Sequence, residues 1–149
     1  MSREPRPSRA RRPFGGAGAW TIFRVGDTDV AIDPTWLLIF AFVTWTTSTS
    51  IIPARLGLRS VEPDGLIWLA GIITSLLFFG SILVHEAAHA YVAVRTGIPV
   101  GRIRLFVFGG VAEIASEPTR PRQEFAITIV GPIASVALGG LLLLIASVL

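Results

Sequence analysis

The sequence predicts an α-helical integral membrane protein with three transmembrane helices and short β-hairpins before the first span and between the second and third. Three observations carry that prediction. Of its 149 residues, 52% are hydrophobic and only 15% are charged, whereas soluble domains average about 25% charged. The mean hydropathy is correspondingly high, +0.67. Three apolar stretches approach or exceed the roughly 20 residues that a span requires, and arginines gather at their ends.

In chain order, residues 1–18 are rich in Arg, Pro, Gly and Ser and lack any apolar period, which predicts a disordered basic arm. Residues 19–149 form the membrane-embedded part. Trp20 to Val25 and Val30 to Ile32, separated by Gly26-Asp27-Thr28-Asp29, read as a hairpin. The first span runs from Thr35 to Ile52. Its second half, Thr44 to Ser50, is so rich in hydroxyl groups that it is expected to face protein or a polar cavity rather than lipid. The second span is bounded by Asp64 as N-cap and by Arg95, Gly97 and Pro99 as a stop. From Leu66 to Arg95 it covers about 45 Å at 1.5 Å per residue, so it must tilt or protrude from a hydrocarbon layer of about 30 Å. Ile98 to Phe108 turns strand-like, Gly109-Gly110 offers a tight turn, and Val111 to Ile114 returns as the second strand of a hairpin. The third span runs from Phe125 to Leu149. Within it Gly131-Pro132 leaves the Thr128 carbonyl without its usual donor, which fits either helix packing or a bend that lines a site.

All thirteen basic residues are arginine. Eleven lie before the first span or between the second and third, and Arg55 and Arg59 lie on the other side. An excess of positive charge marks the cytoplasmic side, so the N-terminus and the second loop are expected there, in a multi-pass protein of the plasma membrane. The same distribution accounts for the basic character without any nucleic-acid partner. Cysteine is absent, which excludes disulfides and thiolate metal sites.

The chemistry concentrates in His85-Glu86-Ala87-Ala88-His89, which uses both histidines of the chain. At helical spacing, residues i and i+4 share a face, so the two imidazoles can serve one metal ion. Zn2+ is the candidate, because it takes neutral imidazole nitrogen and in catalytic sites keeps a position open for water. Glu86 stands beside that position as a general base. The flanks, Phe78 to Val84 and Ala90 to Val94, leave no solvated face to explain such residues, and ionisable groups inside a span usually mark function. Ala87 and Ala88 keep the helix surface small enough for another segment to approach.

These residues, together with Val94-Arg95-Thr96-Gly97-Ile98-Pro99-Val100, Phe108-Gly109-Gly110-Val111-Ala112, Gly131-Pro132-Ile133-Ala134-Ser135 and the entry Ile32-Asp33-Pro34-Thr35-Trp36, resemble the site-2 proteases, intramembrane zinc metalloproteases. The resemblance covers about Val30 to the C-terminus. It implies an intramembrane zinc metalloendopeptidase that hydrolyses transmembrane protein substrates in the lipid bilayer, with His85 and His89 on the metal and Glu86 as catalytic base. That family takes a third ligand from an aspartate, usually followed by glycine, on a helix beyond the Gly-Pro span. The chain reaches Leu149 before such a segment, and residues 19–149 are therefore expected to be a partial protease core completed by a C-terminal segment. Asp64-Gly65 has the right dipeptide but precedes the motif, and Glu113 would serve only if its hairpin folded back to the metal. A non-catalytic zinc-binding protein derived from such a protease fits the same residues. A small transporter component would instead spread polar positions over several spans.

Overall fold

The computed structural model describes residues 18–148 except 26, 27, 59–62, 115 and 117. The expected basic arm lies, but for Gly18, outside the described residues, as does the tip of the first hairpin. Among the described residues, three helical segments are long and apolar enough to cross a membrane: Thr35–Arg55, Gly65–Arg95 and Pro121–Val148. Their large side chains point outward, with Leu38, Leu66, Val136 and Leu143 all at least 70% exposed. Apolar surface on that scale has no place in water, and the chain is a multi-pass membrane protein.

The first span has a break in its regularity. α1 (Thr35–Thr46) passes through a π-helical turn, Thr47–Ile51, into the short α2 (Ile52–Arg55). Thr44, Thr47 and Ser48 of the hydroxyl-rich half are buried. They face protein, and Ser48 lies directly against Gly71 of α3 (Gly65–Arg95), where no side chain would fit. Lower down, Trp36 and Phe40 stack at 4.9 Å and Trp36 meets the edge of Phe79 at 5.2 Å. A small-residue contact at one end, with buried hydroxyl groups around it, and an aromatic cluster at the other fix the two helices side by side.

α3 begins and ends where its flanking residues dictate. The Asp64 carboxylate accepts the Ile67 N–H at 2.9 Å, so this Asp-Gly pair is used as a helix cap. At the other end Gly97 adopts φ 88°, while Ile98 and Gly97 donate to the Ala93 and Val94 carbonyls at 2.9 and 3.0 Å. That is a Schellman stop, and a positive φ is accessible there because glycine has no Cβ.

The two hairpins form one sheet. β1 (Trp20–Val25) pairs antiparallel with β2 (Thr28–Ile32), and β3 (Val100–Phe106) antiparallel with β4 (Gly109–Ile114). β2 and β3 join them in parallel, from Asp29 opposite Arg102 to Ile32 opposite Leu105, giving the order β1-β2-β3-β4. The second hairpin differs from expectation in its turn. Val107-Phe108 makes it, and Gly109-Gly110 already belong to β4, with Phe106 opposite Gly109. One face of the sheet, through Val30, Val100 and Ile103, packs on Ala90 and Ala93 of α3 and reaches Ile127 of α4 (Pro121–Val148). The alanines permit that approach.

Asp33 ties the sheet to the first span. One carboxylate oxygen accepts the Thr35 N–H and hydroxyl at 3.0 and 2.7 Å, and the other pairs with Arg104 of β3. The Thr35 hydrogen bonds, then Arg104, hold its pKa down to about 2. The sheet thus sits at the end of the bundle where α1 starts, α3 ends and α4 starts.

Candidate metal centre

His85 and His89 occupy successive turns of α3, and their Nε2 atoms stand 3.0 Å apart. The rings meet edge to face with centroids 4.7 Å apart. Each ring is held at its other nitrogen. His85 Nδ1 is 2.8 Å from the Ser135 hydroxyl, and His89 Nδ1 donates to the Ile127 carbonyl at 2.6 Å. Oxygen partners on Nδ1 orient imidazoles so that Nε2 is left for a metal.

Both partners come from one stripe of α4. Ile127, Gly131 and Ser135 recur every fourth residue and so share a face. Gly131 lies between the other two and is buried against the ring pair. A methyl group built there would fall on His89 Nε2 and Cε1 and on His85 Nε2. The missing side chain is therefore what gives the two nitrogens their space. Two imidazoles on one tetrahedral zinc stand about 3.3–3.4 Å apart for Zn–N distances of about 2.0–2.1 Å. The pair is within a few tenths of an ångström of that spacing, and its donor set suits the ion.

Glu86 projects to the neighbouring side of α3, toward β4. A Cβ on Gly110 would lie 2.6 Å from Glu86 Cγ and 3.3 Å from its Cδ. Here again the strand can run past the acid because it presents bare backbone. Among the described residues no hydrogen bond or ion pair engages the Glu86 carboxylate, and it is half-buried. Nor does any cluster of three His, Cys, Asp or Glu residues occur among them. Glu113 lies on β4 across from Arg102, and Asp64 caps the far end of α3, so neither joins the histidines.

A cavity of about 930 Å³ between α3 and the sheet is lined by Leu83, Ala87, Ala90 and Val94 among others, and by none of the three motif residues. By helical spacing it opens on the face of α3 opposite the histidine pair. Its lining is mostly apolar, Thr28 and Tyr91 excepted.

Residues 73–149 match the sequence profile of peptidase family M50. A Synechocystis protein named as a zinc metalloprotease, sll0528, is 40% identical over 107 residues, covering 72% of this chain and 27% of its own length. A Mycobacterium tuberculosis protein also named as a zinc metalloprotease, Rip3, is 36% identical over 102 residues, covering 68% of this chain and 25% of its own. The structure of the site-2 protease from Methanocaldococcus jannaschii shares the fold, with a TM-score of 0.60 at 24% identity over 88% of this chain and 52% of that one. The chain belongs to peptidase family M50, the site-2 protease family. It spans about a quarter of the length of the curated relatives it matches.

Sequence reasoning missed the Ile127 carbonyl, because a backbone acceptor has no residue signature, and the specific parts played by Gly110 and Ser135. The four-residue spacing of Ile127, Gly131 and Ser135 was the available signal for the α4 stripe.

Proposed function

We propose that this chain contributes the zinc-binding and proton-transfer half of an intramembrane metalloendopeptidase site. His85 and His89 hold the ion through Nε2, and Glu86 is the general base. When bound, zinc lowers the pKa of water to about 7 and polarises the scissile carbonyl. Glu86, which has no hydrogen bond or ion pair among the described residues, takes a proton from the attacking water as the new C–O bond forms. The same carboxyl then returns that proton to the amide nitrogen as the C–N bond breaks. The observation that carries the reading is the convergence of the two Nε2 atoms, each ring anchored at Nδ1 and faced by a glycine.

β4 supports a way to present substrate. It is an edge strand, and its Gly110 backbone lies against Glu86, nine residues inside the end of α3, or about 13 Å at 1.5 Å per residue. Unpaired backbone groups at that depth need protein or a water-lined cavity. An extended substrate segment added to the edge would satisfy them whatever its sequence and bring its carbonyls beside Glu86. The third protein ligand is then an aspartate from a further helix, as the family resemblance implies. The arginine distribution supports a site near the cytoplasmic side of the plasma membrane.

Purified protein in detergent is expected to retain zinc as wild type and as Glu86→Gln, and to lose it as His85→Ala. Equal zinc in wild type and His85→Ala would overturn the ligand assignment.

A further inference from the structure

The two histidines have chemically different anchors. The Ile127 carbonyl can only accept, so His89 Nδ1 carries the proton and, in the neutral ring, His89 Nε2 carries a lone pair. His85 Nε2 lies 3.0 Å from that lone pair. Two lone pairs at such a distance repel, so the contact is a hydrogen bond in which His85 Nε2–H donates to His89 Nε2. The neutral His85 ring then has an acceptor at Nδ1, and its partner, the Ser135 hydroxyl, must donate. Holding a cation reverses this. Both Nε2 atoms then need lone pairs, and the His85 proton belongs on Nδ1, where an acceptor is required.

A hydroxyl serves both arrangements because it is donor and acceptor and rotates about one bond. Ser135 is free to do so. The hydroxyls of Thr49, Thr74, Ser75, Ser81 and Ser147 each bond back to a carbonyl of their own helix. Ser135, by contrast, has its one hydrogen bond among the described residues across the helix interface, to His85.

We propose that Ser135 is a positioning residue whose hydroxyl reverses its hydrogen bond to His85 Nδ1, donating when His85 Nε2–H bonds to His89 and accepting when His85 Nε2 takes a cation. Both rings stay neutral throughout, so the change is one of tautomer. The inference rests on the zinc reading of the histidine pair and adds to it the means by which the pair exists in two satisfied states.

The chain has two histidines, so 15N-histidine labelling of the 149-residue protein in detergent gives two imidazoles to follow by NMR. In metal-free protein His85 is expected as the Nε2–H tautomer and His89 as Nδ1–H. With zinc added, both are expected as Nδ1–H. Ser135→Ala should weaken zinc binding about 10- to 100-fold, the range for lost outer partners of metal ligands. Ser135→Thr, which keeps the hydroxyl, should restore it. His85 already Nδ1–H without zinc, or Ser135→Ala binding as tightly as wild type, would overturn the switch and leave the zinc reading standing. Zinc that perturbs neither imidazole would overturn both.

Discussion

Replacing Gly131 by alanine is expected to cost the protein its metal without making α4 more stable. In a helix interior alanine ordinarily gains about 1 kcal/mol over glycine. Here the added methyl would lie 2.5 Å from His89 Cε1 and 2.7 Å from His85 Nε2, against about 3.5–4.0 Å for an unstrained contact between carbon atoms. A ring or the helix must therefore move by about 1 Å. Metal–ligand distances tolerate only about 0.2 Å, so a displacement several times larger removes at least one imidazole from the ion. A loss of at least tenfold to 100-fold in zinc affinity follows, equivalent to about 1.4–2.7 kcal/mol. Competition titration with a chromophoric chelator reads the affinity, and thermal unfolding of metal-free protein in detergent reads the propensity gain. A Gly131→Ala protein that binds zinc like wild type and melts higher would refute the reasoning, since the methyl would then have found room.

Asp33 predicts an acid-sensitive joint between the sheet and the first span. Its folded pKa is held at about 2, below the ordinary 3.8, so its contribution is complete above pH 3.8 and is lost as pH falls toward 2. Wild-type melting temperature should drop over that window by more than that of Asp33→Asn, and parallel curves would exclude the joint. Gly110→Ala should press on Glu86, whose Cγ is 2.6 Å from the new Cβ, and lower turnover of the full-length protease by about 100-fold while zinc content holds. Equal turnover would detach β4 from the site. The chain lacks cysteine, so single cysteines report topology directly. One at Ser116 should resist an impermeant thiol reagent in intact cells and one at Ser60 should react, and the reverse pattern would invert the orientation.

What the sequence disclosed depended on how local each signal was. His85, Glu86 and His89 lie within five residues of one helix, so their spacing alone implied rings that meet, and they do meet. The helix ends were equally legible, since Asp64 and Gly97 act within one turn of themselves. The parallel pairing of β2 with β3 was not. It joins residues 73 apart, as Asp29 opposite Arg102 shows, and neither strand carries a mark of its distant partner. The turn of the second hairpin was misplaced because two glycines in succession suggest a turn, whereas Gly110 is needed as bare backbone beside Glu86. Pro132 drew attention to its own break in hydrogen bonding, although α4 runs on through it and the residue before it is the one against the histidines.

The motif on α3 acts only as far as its neighbours can approach, and that approach is set by residues that supply no reactive atom. Glu86 and the histidine pair point to different sides of α3, so two separate backbones must come close: β4 on one side and α4 on the other. In both cases a glycine, Gly110 or Gly131, stands where a single methyl would collide with the side chains. Four and seven residues beyond Glu86, and so on the same side of α3 as the acid, Ala90 and Ala93 give the sheet close access to the helix. A helix bearing the same histidines and glutamate but flanked by larger residues would keep its i, i+4 spacing and lose the outer hydrogen bonds at Nδ1 and the strand edge beside the acid. The five-residue motif is thus necessary to the geometry without being sufficient for it. Small residues at positions 90, 93, 110 and 131 complete it, and substitutions there should damage the site as surely as substitutions in the motif, through displacement rather than lost chemistry.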